Sequence, residues 1–250
     1  MRRQSNTKRG ELTFLRETEL KKITIQNLEI ELKLDEQVFP PSPNGSFYAE
    51  SLFVEWGETV IDIGTCSGIL AIFAAKSGGI VSATDVDSHA IKAARRNAAL
   101  NKVEIELSNG AMFADFGKKF DVIFANLPNE IVPEQHLKSV GAELANTFDG
   151  GAKGNKYILE LLEVADRYMH ENSRLYLPVH TLTDYHETLR TAISKYQTKL
   201  VAVGQLPTKE FVENNIDFYS RLNQAGTIRI FRREEKWYSN GYVYELTVKG

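Results

Sequence analysis

The chain has 250 residues, 42% of them hydrophobic and 25% charged, with a formal net charge of -3. That length suits one large α/β domain with a small extension, or two compact ones, and the acidic balance argues against a protein built to coat nucleic acid, which needs a basic field. A single cysteine, Cys66, excludes an intrachain disulfide framework, and the longest apolar run, Ile69 to Ala75, is too short to span a bilayer. The basic start MRRQSNTKRG is followed by ELTFLRETELKK, too polar for an export signal, so the expectation is a cytoplasmic chain with no membrane partner.

In chain order, residues 1–21 read as a flexible N-terminal segment. Residues 22–46 hold a β hairpin, from the alternating runs ITIQNLEI and ELKL, and then a proline-rich loop at Phe39 to Gly45. The remainder, 47–250, reads as the main domain. Strands are predicted at Thr59–Ile63, Ile80–Thr84, Val103–Leu107, Phe120–Ala125, Arg174–Val179 and Lys199–Gly204. Helices are predicted at Ser67–Ser77, from an Asp87 or Ser88 cap through HAIKAARRNAAL, at Tyr157–Met169, and at Asp184–Lys195. Lys209 to Gln224 is helical in pattern and suits a packing role or a cover over a site. Near the end, Ser239-Asn240-Gly241 between alternating runs predicts a two-residue hairpin turn. Strands separated by helices require parallel crossovers. The expected fold is therefore α/β, a doubly wound, mostly parallel seven-stranded sheet with a C-terminal antiparallel hairpin and a small N-terminal β extension.

Between the first main strand and its helix stands Asp62-Ile63-Gly64-Thr65-Cys66-Ser67-Gly68. Ligands of open α/β sheets sit beyond the carboxyl ends of the strands, and glycines there let the backbone approach them. A dinucleotide fingerprint fails twice, at Cys66 and Ile69. The pattern that does occur, D-x-G-x-x-x-G, resembles the first motif of class I S-adenosylmethionine-dependent methyltransferases, and Asp85 follows 23 residues after Asp62 at the next strand end. The resemblance implies S-adenosylmethionine as cofactor. It places Asp62 near the methionyl amino group, Gly64, Thr65, Ser67 and Gly68 along the wall beside it, and Asp85 with Val86 at the ribose. Cys66 reads as a small packing residue, since no histidine neighbours it in sequence.

The fourth strand closes on Asn126-Leu127-Pro128-Asn129. Asn-x-Pro there resembles the N-P-P-Y motif of HemK-like glutamine methyltransferases and DNA adenine methyltransferases, and the N-L-P-Y of rRNA adenine dimethylases. In that pattern the Asn126 side chain and the Leu127 carbonyl would accept hydrogen bonds from the nitrogen being methylated, with Pro128 shaping the turn. Two fixed acceptors orient a planar nitrogen and stabilise the charge it gains. Asn129 replaces the tyrosine that would stack on a flat acceptor. The same residues also suit a plain strand-ending turn.

Other stretches fit the HemK-like group over roughly residues 22–180. Asn97 and Asn101 match R-x-N-A-x-x-N, and Asp149-Gly150-Gly151-Ala152-Lys153-Gly154 matches G-G-x-x-G. Asn109-Gly110-Ala111-Met112-Phe113 matches G-D-x-F, with Ala111 in place of an acid, so that Asn109 or the backbone near Met112 would meet the adenine. His136, His180 and His186 lack metal-ligand spacing, and Trp237, Tyr238, Tyr242 and Tyr244 suit cross-strand pairs. The resemblance implies N-methylation of a protein side chain or small metabolite. RNA or DNA adenine methylation, O- or C-methylation in a biosynthetic pathway, and a non-catalytic cofactor-binding subunit are the alternatives.

Overall fold

The computed structural model describes residues 19–34, 42–114, 116–140 and 148–250. Its first element is a hairpin of β1 (Glu19–Ile25) and β2 (Leu28–Leu34), so strand structure begins inside the segment expected to be flexible. Residues 1–18 and the first part of the proline-rich loop, 35–41, lie outside the described residues. The end of that loop is helical: Ser42 caps α1 (Pro43–Glu50) by accepting from the Gly45 N–H, and Pro43 opens the helix, where a missing N–H costs nothing.

Then the α/β alternation begins. β3 (Thr59–Ile63), α2 (Ile69–Lys76), β4 (Ile80–Asp85), α3 (Ser88–Leu100), β5 (Ile105–Asn109) and β6 (Phe120–Ala125) follow in order. Next come α4 (Glu134–Val140), α5 (Lys156–Val164), a 3-10 turn at Ala165–Tyr168, β7 (Met169–His180), α6 (Tyr185–Lys195) and β8 (Tyr196–Pro207). Two short helices, α7 (Glu210–Asn214) and α8 (Ile216–Gln224), precede β9 (Ile230–Arg233) and β10 (Lys236–Val248). The strand order is β5-β4-β3-β6-β7-β10-β8, with β9 on β10. β5, β4, β3, β6 and β7 pair in parallel, and β10 is antiparallel to β7, β8 and β9. Among the described residues no helix is long and apolar enough to cross a membrane.

Period-two alternation assigns the faces of the sheet. Val60, Val122, Phe124 and Tyr176 turn toward α1, α2 and the N-terminal hairpin, while Ile61, Ile63, Ile123, Leu175 and Leu177 turn toward α5. Both faces are covered, so the strands read as nearly unbroken apolar runs. A third, smaller cluster joins Ile131 and Leu182 to Phe211, Val212, Tyr219, Ile228 and Ile230, which packs α7 and α8 onto the carboxyl end of the sheet.

Three expectations need correction. The chain runs straight through Asn240-Gly241 within β10; the hairpin turn is at Glu234-Glu235, with Glu234 in the left-handed region at φ 53°. Gly241 serves contact instead. It lies opposite Gly204, and the Phe47 ring of α1 rests on the pair: a Cβ on Gly204 would stand 2.7 Å from the ring. The helix expected at Tyr157–Met169 gives way at Ala165, and β7 and β8 are each twelve residues long because β10 offers a long partner. The four aromatics lie in cross-strand pairs as expected: Trp237 opposite Arg232, Tyr238 opposite Phe231, on which it stacks, Tyr242 opposite Val179 and Val203, and Tyr244 opposite Leu177 and Leu200.

The N-terminal hairpin is held by a ladder of side chains. Asn97 of α3 accepts from the Lys33 N–H at 2.8 Å, and Asn101 accepts from the Glu31 N–H at 3.0 Å and donates to the Glu31 carbonyl at 2.7 Å. Four residues of helix rise by about 6 Å and two of strand by about 6.7 Å, so the asparagines match alternate residues of β2. Asn97 also donates to the Ser67 carbonyl at 2.9 Å, which ties the hairpin to the glycine loop.

Candidate functional site

The strand order reverses between β3 and β6, and a cavity of about 1100 Å³ opens there, beyond the carboxyl ends of the strands. Its volume is at the upper end for ligand pockets. At one end stands the glycine loop. Gly64 and Thr65 donate their N–H groups to the Thr84 carbonyl, which anchors the loop on β4. Gly64 has φ 74°, and a Cβ there would press on Leu127 at 3.0 Å.

Asp62 is buried at the head of this loop. One carboxylate oxygen, Oδ2, accepts from the Thr65 hydroxyl at 2.7 Å and from the Ala71 N–H at 3.1 Å, which caps α2 where Gly68 has no side chain to do so. Among the described residues the other oxygen, Oδ1, has no partner, and the residue borders the cavity. Burial pushes the Asp62 carboxyl up to about 7, against the opposing effect of its two hydrogen bonds.

Asp85 ends β4 and accepts from the Cys66 and Asp87 N–H groups, both at 2.9 Å. Burial raises its pKa, and those N–H bonds oppose the rise. Val86 stands exposed beside it. On the adjoining wall are Gly110, Ala111 and Met112, with the Met112 carbonyl fixed by the Thr84 hydroxyl at 2.6 Å.

At the far end β6 terminates because the Ala125 N–H is taken by the Tyr48 hydroxyl, which itself donates to the Tyr176 carbonyl. Burial pushes that hydroxyl's pKa well up, so it remains a donor. Asn126 is exposed to the cavity, followed by Leu127, Pro128 and Asn129 along its wall.

Most of the residues singled out from sequence therefore meet in one cavity: Asp62, Gly64, Thr65, Ser67, Asp85, Val86, Ala111, Met112, Asn126, Leu127 and Pro128. Two do not line it. Gly68 faces α3, where a Cβ would meet Ala94 at 3.1 Å, and it allows the two helices to approach. Asn109 donates its amide to the Asp85 carbonyl at 2.8 Å and so braces the strand end from outside. The G-G-x-x-G stretch forms a tight turn. The Gly150 N–H donates to the Glu130 carbonyl, and a Cβ on Gly154 would lie 3.0 Å from the Ile131 nitrogen. Among the described residues no His, Cys, Asp and Glu group is arranged to hold a metal.

Sequence reasoning missed Glu130, His180 and Lys209, which also border the cavity. Glu130 is a single acid after the Asn-x-Pro turn, and Lys209 enters from the far C-terminal part of the chain. Neither carries a local signature.

The family model for ribosomal protein L11 methyltransferase (PrmA) matches residues 45–143. A Methanocaldococcus jannaschii protein, provisionally named a protein N5-glutamine methyltransferase, is 28% identical over 161 residues, which is 64% of this chain and 81% of that one. The ribosomal protein L11 methyltransferase of Caldicellulosiruptor saccharolyticus is 48% identical over 81 residues, 32% of this chain and 27% of that one, so the chain spans little more than a quarter of that relative. In fold, it is similar to the T. thermophilus 16S rRNA N2 G1207 methyltransferase solved with AdoMet and guanosine: TM-score 0.60, 15% identity, covering 92% of this chain and 50% of the other. By sequence similarity over residues 45–143 and by strand order, the chain is similar to class I methyltransferases.

Proposed function

We propose that the chain transfers a methyl group from S-adenosylmethionine to a nitrogen of a protein side chain or small metabolite. The observation that carries this reading is Asp62 Oδ1, a buried carboxylate oxygen without a partner at the head of the glycine loop. A buried acceptor left unmet is costly, and an ammonium group meets it. Asp85 lies on the same cavity wall, with lone pairs left over from its two N–H bonds for a pair of ribose hydroxyls. Gly64, Thr65 and Ser67 bring the backbone close between the two acids, and Gly110, Ala111 and Met112 offer a flat wall suited to a base.

When bound, the sulfonium supplies a methyl group on a good leaving group, so the protein's task is to place the acceptor. Asn126 and the Leu127 carbonyl are the acceptors suited to an N–H2 group, held rigid because Tyr48 fixes the end of β6 and Leu127 packs on Gly64. As the nitrogen gains positive charge, these two dipoles stabilise it without reorganising. Relatives named for glutamine or ribosomal-protein methylation make a protein acceptor the first class to test.

Calorimetric titration with S-adenosylhomocysteine tests the reading. Micromolar binding that weakens sharply in Asp85→Ala supports it, and labelled-methyl transfer to peptides then identifies the acceptor. A folded wild-type chain that does not bind S-adenosylhomocysteine defeats it.

A further inference from the structure

The Asn126 end of the cavity carries a second set of polar groups that the proposed methyl transfer does not use. Glu130 is 8% exposed and His180 5% exposed, and both border the cavity. Glu130 Oε1 is ion-paired with Lys209, and among the described residues Oε2 has no partner. The Asn129 carbonyl lies beside the His180 ring and acts on it electrostatically without meeting hydrogen-bond geometry, and among the described residues neither ring nitrogen has a hydrogen-bond partner. Three polar atoms that are more than nine-tenths buried thus stand unmet at one end of one cavity. Such groups are rare in folded proteins, and each calls for a missing partner.

The charges select the partner. The Glu130 carboxylate is already matched by the Lys209 ammonium, so an added cation would stand in excess beside a cation. Burial and the nearby Lys209 hold the imidazole down at about 4, so at neutral pH it offers one N–H donor and one bare nitrogen. A neutral group with an N–H next to a carbonyl oxygen answers both: the N–H to Glu130 Oε2, the oxygen to the imidazole N–H. An amide has that shape.

Resting on the functional reading above, we propose that Glu130 and His180 form a second recognition point for the acceptor, which takes an uncharged amide unit separate from the nitrogen that is methylated. Lys209 is the positioning residue. It stands at the start of α7, and its ion pair with Glu130, beside the hydrogen bond from the Tyr219 hydroxyl to the Ile131 carbonyl, links the α7–α8 segment to the cavity wall. Asn129, where the related motif has tyrosine, leaves this end of the cavity open to hydrogen bonding rather than to ring stacking.

The amide has two possible sources, the peptide backbone beside the methylated residue or a side-chain carboxamide. The test uses protein labelled with ¹⁵N in its histidine rings and saturated with S-adenosylhomocysteine, titrated with N-acetylglycine methylamide, with acetamide and with n-butylammonium. The His180 ring signals are assigned by their absence in His180→Phe. The expected result is that an amide moves the His180 ring signals, that Glu130→Gln weakens the same amide at least fivefold, and that n-butylammonium binds less tightly than either amide. Whichever amide binds more tightly names the source. Unmoved His180 signals overturn the proposal, as does an amide affinity unchanged in both variants, or tighter binding of n-butylammonium. Retained S-adenosylhomocysteine affinity shows that each variant is folded. Failure of wild-type chain to bind S-adenosylhomocysteine would overturn the functional reading and this proposal together, whereas intact binding with a silent imidazole overturns this proposal alone.

Discussion

The two ends of the cavity are built on different plans. At the glycine loop, the acids are clasped by the loop's own backbone and hydroxyl: Asp62 by Thr65 and Ala71, Asp85 by Cys66 and Asp87. All of it comes from within residues 62–87, and one carboxylate oxygen is left over. At the Asn126 end the groups come from the segment after β6, from the end of β7 and from Lys209, spread over about eighty residues of sequence, and several polar atoms are left over. A site made from one contiguous segment can be inherited as a motif. A site assembled from distant segments can change its acceptor without disturbing the first.

That contrast can be broken most forcefully at Asn126. In Asn126→Ala, kcat for methyl transfer falls by about 10²–10³, as when one fixed hydrogen-bonding group is removed at a developing charge, while S-adenosylhomocysteine affinity stays within about twofold. Single-turnover transfer and calorimetry check it, and measured turnover of wild type removes the non-catalytic alternative. Next in size, Asp85→Ala weakens S-adenosylhomocysteine by about fiftyfold, since charge-assisted hydrogen bonds contribute about 1.5–3 kcal/mol each. Asn97→Ala leaves the buried Ser67 carbonyl and the Lys33 N–H unmet and lowers stability by about 2 kcal/mol, roughly thirtyfold in the folding equilibrium, read by denaturant titration.

Acidity sharpens the comparison further. The Asp62 carboxyl is raised to about 7 in the free protein. Its contribution to stability is therefore fully present below the unfolded value near 4 and is lost as pH rises through 7. A cationic amino group in the cavity favours the ionised form, so S-adenosylhomocysteine affinity falls by up to about tenfold for each pH unit below 7, measured by calorimetry in buffers of differing protonation heat. The smallest effect is expected at Asn109→Ala, less than about twofold on the same affinity, because its amide braces the Asp85 carbonyl outside the cavity.

The glycine-loop end was legible in the sequence because its constraints are local. A strand such as TVIDI declares itself by composition, and an acid before a glycine turn and another at the next strand end fall at a fixed spacing. The central strands followed for the same reason, and Thr59–Ile63 and Phe120–Ala125 were placed to the residue. Asn240-Gly241 misled because the residue types of a tight turn were present for another purpose: a flat pair of glycines beneath Phe47. Glu130, His180 and Lys209 were out of reach because only the tertiary fold brings them together. Asn97 and Asn101 were visible as a pattern, but their partner was not, since a helix side chain bonded to a strand backbone leaves no mark on the strand's own sequence.

That asparagine ladder has a consequence for how the chain is made. The hairpin at 19–34 leaves the ribosome before the groups that complete its outer edge, Asn97 and Asn101, which emerge some seventy residues later. At elongation rates of about 5–20 residues per second, several seconds pass with that edge open. Until α3 has formed, this strand pair of the nascent chain is a bare template, and synthesis slowed between residues 34 and 101 lengthens the interval in which another chain can pair with it.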